Sequence, residues 1–176
     1  MKTSRYHPLL VLLHWLLGIM ITVALVLGAL GLQALPNDSP DKIFALRGHM
    51  MAGGLILILT LVRIMVRLRT QHPVQLDTGS AFLNKIAVFA HYGHYLLTLL
   101  MAASGIGLSI QTDLPAAVFS GTAILPESFA DYPPRVAHGA IAKLLTVLIA
   151  LHVTAALYHH LIRKDGLLER MWFGHR

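Results

Sequence analysis

A chain of 176 residues with 56% hydrophobic and 12% charged residues and a mean hydropathy of +0.66 is too apolar for a soluble domain and reads as a membrane protein. The absence of cysteine excludes disulfides, thiolate metal sites, iron–sulfur clusters and the C-x-x-C-H attachment of a covalently bound haem. A net charge of +6 would suit nucleic acid in a soluble protein, but here the lysines and arginines flank apolar segments, which is how topology signals look.

Four apolar segments succeed one another, at residues 9–32, 45–66, 82–110 and 136–162, each with the ~20 apolar residues a spanning helix needs. Pro8 suits the first turn of the first helix. Met1 to His7 is too short and too weakly basic for a signal peptide and no A-x-A-type cleavage site follows at the usual distance before the next loop, so segment one is expected to persist as a helix. No Gly-Ser linker or repeat divides the chain. The expected fold class is an all-α integral membrane protein, a bundle of four transmembrane helices forming a single domain over residues 1–176. Lys2, Arg5, Arg63, Arg67, Arg69, Lys85, Arg163, Lys164, Arg170 and Arg176 fall on one side. Lys42, Arg47, Arg135 and Lys143 fall on the other, among Asp38, Asp41, Asp113, Glu127 and Asp131. The positive-inside bias then puts both termini in the cytoplasm. The outer loops, 33–44 and 111–134, are rich in Pro, Asp and Ser, and the second is long enough to fold as a cap.

With the helices oriented, the histidines sort by depth. His49 and His138 form an outer layer; His14, His91, His94, His152, His159 and His160 form an inner one. His138 and His152 lie fourteen residues apart on one helix, about 21 Å along its axis and only about 40° apart in direction. Ionisable groups at membrane depth point to function. A haem held by two imidazoles needs two neutral nitrogens at one depth on facing helices and an apolar slot between them. Gly48, Gly53, Gly54, Gly139, Ala140 and Ala142 would let a flat ring approach the backbone. Taken singly, each glycine is ordinary helix packing and each histidine an ordinary interhelical hydrogen bond. Two layers of facing histidines together favour ligation. A free-ion site would add carboxylates at membrane depth, and none of the eight Asp and Glu lies in a helix core.

The ordered set HW at His14 and Trp15, RGH at Arg47 to His49, VRLR at Val66 to Arg69, AHYGH at Ala90 to His94 and SG at Ser104 and Gly105 leads to a final run, Ala137 to Trp172, reading AHGAIAKLLTVLIALHVTAALYHHLIRKDGLLERMW. Over essentially its whole length the chain resembles the bacterial cytochrome b561 family of four-helix, di-haem b proteins of the inner membrane. That resemblance implies one haem b between His14 and His152 and another between His49 and His138, these four being the iron ligands. By depth alone His91 matches His152 at least as well as His14 does. Arg47 outside, and Lys164 or Arg63 inside, are expected to meet haem propionates, since guanidinium and ammonium groups bind carboxylates well. Lys143 either snorkels to the outer surface, the ordinary behaviour, or meets a propionate. The family is associated with quinones, and bacterial members with oxidising superoxide at the outer face while reducing ubiquinone. His94, His159 and His160 fit the proton-handling groups of a quinone pocket near the cytoplasm. A small anion such as superoxide would be drawn to Lys42, Arg47, Arg135 and Lys143, against the opposing pull of the acidic residues in the same loops. Two other readings stand beside this one: a non-catalytic cytochrome b subunit that docks a partner dehydrogenase or hydrogenase, and a haem or metal transporter or sensor.

Overall fold

The computed structural model describes residues 5–74 and 77–174; Lys2 and Arg176, both part of the charge bias, lie outside the described residues. Within them the chain is helical, without strands, and four helices are long and apolar enough to cross a membrane. Helix α1, Pro8–Val26, runs on through a π-helical turn at Leu27–Gly31 and a 3-10 turn at Leu32–Ala34. Helices α2, Pro40–Arg69, and α3, Ala81–Gln111, are uninterrupted, and α4, Pro133–Tyr158, continues into a π-helical turn at His159–Arg163.

Each start has a local cause. Prolines open α1, α2 and α4, where a missing backbone N–H costs nothing. Nδ1 of His7 accepts from the N–H of Leu9, and Oγ of Ser39 from the N–H of Asp41. These signals lengthen the helices beyond the apolar segments. Helix α2 begins at Pro40 rather than near residue 45 and ends at Arg69 rather than near 66. Apolar runs stop at the edge of the hydrocarbon, whereas backbone hydrogen bonding continues through the charged turns of the interface. At 30 residues α2 is about 45 Å long, more than the ~30 Å hydrocarbon core.

Four antiparallel spans bring the two ends of the chain to one side, here the terminal side, opposite the far side. The N–H of Tyr6 donates to the carbonyl of Arg170 at 3.1 Å, and Nε1 of Trp15 to that of Met171 at 2.9 Å. The indoles of Trp15 and Trp172 meet edge to face, 5.8 Å between centroids. Helices α1 and α2 pack as one pair, α3 and α4 as another, with α2 also against α3 and little backbone contact between α1 and α4. Large apolar side chains such as Ile19, Ile58, Leu96, Leu144 and Leu151 face outward, the arrangement that lipid rather than water requires.

The expected cap is built on the far side. Leu114 and Val118, from the 112–120 stretch, bury against Leu46 of α2, backed by Leu32, Met50, Leu108, Leu125 and Phe129. Asn37 of the first far loop donates to the carbonyls of Pro126 and Glu127 in the second, at 2.9 and 3.2 Å. Lys42 is buried and donates to the carbonyls of Leu32 and Leu35 at 2.8 and 3.0 Å, so this ammonium caps the end of α1.

Candidate functional site

The far layer joins α2 to α4 across the bundle. The imidazoles of His49 and His138 lie 6.0 Å apart between centroids, with their planes at 71°. Two imidazoles on opposite sides of one iron, bonded at about 2 Å, would stand about 6 Å apart by the same measure. Nδ1 of His138 is 2.9 Å from Oγ of Ser104, and that hydroxyl donates its own proton to the carbonyl of Met101 at 2.8 Å. The hydroxyl must therefore accept from Nδ1–H, which leaves the lone pair of Nε2 free to ligate. Bare glycine backbone abuts both rings. A Cβ added at Gly105 would lie 3.5 Å from Cε1 of His138, and one at Gly28 would lie 3.8 Å from Cε1 of His49. At Gly48, Gly53 and Gly54 an added Cβ would meet nothing within 4 Å, whereas at Gly139 it would come within 3.0 Å of the Arg135 guanidinium.

The layer nearer the termini has His152 at its centre. Centroid distances from its ring are 6.0 Å to His14 on α1, 5.9 Å to His91 and 5.1 Å to His94 on α3. His14 and His91 thus stand equally near, His14 half-buried and His91 exposed. Nδ1 of His94 donates to the carbonyl of Ala90 at 2.7 Å, so its buried Nε2 carries the lone pair, and it has no partner. Arg63 of α2 places one guanidinium nitrogen 3.4 Å from Nδ1 of His14 and its Cζ 5.3 Å from the ring centroid of Tyr95.

The remaining predicted residues lie at the edges. His159 and His160 occupy the π-helical turn after α4, and both meet carboxylates of the next segment. Nδ1 of His159 is 2.5 Å from Oδ2 of Asp165, and Nδ1 of His160 is 3.7 Å from Oε1 of Glu169. Asp165 also accepts from the N–H of Leu167 at 3.2 Å. Partial burial raises the Asp165 pKa, but the hydrogen bonds from His159 and Leu167 outweigh it and hold the carboxyl below its usual range. Lys164 adopts the left-handed conformation that ends the turn, φ 50°, and its side chain is exposed. Arg47 lies two residues before His49, yet its guanidinium donates twice to the carbonyl of Val118, at 3.2 and 2.6 Å, and covers the Phe119 ring. Of the three cations expected near propionates, Arg63 is the one lying against a histidine of either layer. Ser104, Asp165 and Glu169 are visible in the SG and KDGLLER strings, but those strings carry no signal of their partners.

Among the described residues no group of three or more His, Asp or Glu has the geometry to hold a metal ion unaided. Paired rings about 6 Å apart suit an iron whose equatorial positions a macrocycle fills. The sequence profile of the prokaryotic cytochrome b561 family matches residues 5–174. The chain belongs to that family. It is 26% identical over 172 residues to cytochrome b561 homolog 1 of Escherichia coli strain K12, covering 96% of this chain and 97% of the relative. Cytochrome b561 homolog 2 of the same strain is 29% identical over 175 residues, covering 96% and 91%. A Yersinia pestis protein named probable superoxide oxidase CybB is 28% identical over 175 residues, covering 96% of each chain. As a prokaryotic cytochrome b561, this is a multi-pass bacterial membrane protein of electron transfer, and the family implies that it binds haem b.

Proposed function

We propose that this cytochrome b561 is a di-haem b oxidoreductase of the bacterial inner membrane, folded as one domain over residues 1–176 with both termini in the cytoplasm. It carries electrons from a donor on the periplasmic side to ubiquinone on the cytoplasmic side. The observation that carries this reading is the pair of 6.0 Å ring contacts, His49 with His138 and His14 with His152, placed fourteen residues apart on the unbroken α4. His49 and His138 hold one haem, His14 and His152 the other. A haem b bound at each pair supplies reversible one-electron transfer.

The chain itself supplies spacing, protonation state and electrostatics. Helix α4 holds the two layers about 21 Å apart along its axis. Ser104 fixes the ligating tautomer of His138. Reduction of ubiquinone takes two electrons and two protons. His159, whose Nδ1 is engaged by Asp165, keeps Nε2 as the nitrogen that exchanges a proton; His160 lies farther from its carboxylate, with Nδ1 3.7 Å from Glu169. His94 offers a further lone pair beside His152. The name of the Yersinia pestis relative favours superoxide as the donor. Two superoxide ions would each lose one electron to become dioxygen for every quinone reduced.

The test is a haem-to-protein ratio with a redox titration of the visible spectrum. Two haems per chain are expected. His49→Ala and His138→Ala should remove one and the same signal, and His14→Ala and His152→Ala the other. Loss of a haem in His91→Ala with both retained in His14→Ala would reassign the ligand on the terminal side. Purified protein should reduce added ubiquinone when supplied with superoxide; flow restored only by a partner dehydrogenase would make the protein a docking subunit.

A further inference from the structure

Among the described residues, four buried polar atoms of α2 and α3 have no hydrogen-bond partner, and two of their residues, Arg63 and His94, contact histidines of the terminal layer. Oγ1 of Thr60, Nε of Arg63, Nε2 of His94 and the hydroxyl of Tyr95 are all shut off from solvent with no hydrogen bond. Thr60 is only 2% exposed and lies three residues before Arg63, so both side chains share one face of α2. In an apolar helix a threonine ordinarily satisfies its hydroxyl on the carbonyl four residues back. Thr22, Thr70, Thr112 and Thr146 all do so, at 2.7 to 2.8 Å; Thr60 does not. The guanidinium of Arg63 meets the Tyr95 ring from α3 and Nδ1 of His14 from α1. A guanidinium, a phenol and a hydroxyl can all donate, which is the set an anionic oxygen selects.

The His14 contact points the same way. One guanidinium nitrogen of Arg63 lies 3.4 Å from Nδ1 of His14, so the donors adjoin a histidine of the terminal layer.

We propose that Arg63, Tyr95 and Thr60 form a carboxylate-binding corner that takes a propionate of the haem on the terminal side. This rests on the reading that a haem occupies that layer. Wild-type protein that held a single haem, or kept both in His152→Ala, would defeat that reading before the corner was tested.

The corner is tested by the rate of haem loss to a soluble haem acceptor in excess, in protein loaded with haem b or with its dimethyl ester, which has no carboxylate. Arg63→Gln should speed loss of one of the two haems about ten- to a hundredfold, the span of a charge-assisted hydrogen bond. Arg63→Lys should recover most of that, and the gap between Arg63→Gln and wild type should close when the ester is bound. Tyr95→Phe and Thr60→Val should each speed loss severalfold for haem b only, and they decide the matter if Arg63→Gln does not fold. Rates within twofold of wild type for haem b would overturn the proposal. So would equal acceleration of haem b and its ester, which would assign the corner to a lipid phosphate or to His14 alone.

Discussion

Replacing Ser104 by Ala removes the group that accepts Nδ1–H of His138 and leaves the helix a better helix former. The lost contact is one neutral hydrogen bond at 2.9 Å, worth about 1 kcal/mol, and the imidazole N–H left behind in an apolar layer costs about 1–3 kcal/mol. Groups that orient a metal-ligating imidazole in this way typically account for 10- to 100-fold in metal affinity. The sign of the redox effect comes from basicity. An imidazole that donates through Nδ1 is a stronger donor through Nε2 and favours ferric iron, so deleting the acceptor should raise the potential of the haem proposed at His138. If the whole of that 1 kcal/mol distinguished the two oxidation states, the shift would be about 40 mV for a one-electron couple. Redox titration of the visible spectrum, resolved into two components, should show one component moving up and the other unmoved. Ser104→Thr, which keeps the hydroxyl, should sit near wild type. A downward shift, or equal movement of both components, would refute the tautomer argument.

Two further outcomes are expected of the same structure. Asp165 has a depressed pKa in the folded protein, so its hold on His159 is complete above about pH 4, the unfolded carboxyl value, and is lost as pH falls through the lower, folded one. Tryptophan emission, which comes only from Trp15 and Trp172, should therefore report loosening of the C-terminal segment well into acid; Asp165→Asn should abolish that step, and an unchanged acid step in the variant would sink the idea. Lys42→Met strips the cap from two carbonyls at the end of α1 and should destabilise the far side by about 1–3 kcal/mol, seen as earlier thermal loss of the haem signal assigned to His49 and His138.

The four spans and the facing directions of His138 and His152 were legible because both depend on periodicity along one helix, which the sequence displays directly. Helix ends were not, because Ser39 and Pro40 extend α2 through charged residues that hydropathy counts as loop. The partner of Arg47 was not legible either, because residues two apart on a helix point away from each other and its guanidinium reaches the cap at Val118, far along the chain. The partners of His138, His159 and His160 come from α3 or from the segment after the π-helical turn. That turn adds a residue to the helical register, so periodicity along α4 does not place Asp165 or Glu169 beyond it.

The unbroken course of α4 from Pro133 to Tyr158 makes it a ruler between the two histidine layers. A thinner or thicker bilayer can tilt that helix as a whole, yet the number of residues between His138 and His152 stays covalently fixed. The spacing of the two histidine layers, and with it the distance between the haems proposed there, is therefore set by the chain rather than by the lipid. Inserting a single residue between the two histidines would swing one layer by about 100° and uncouple it from its facing ring, while adding residues to the loops would leave the spacing intact.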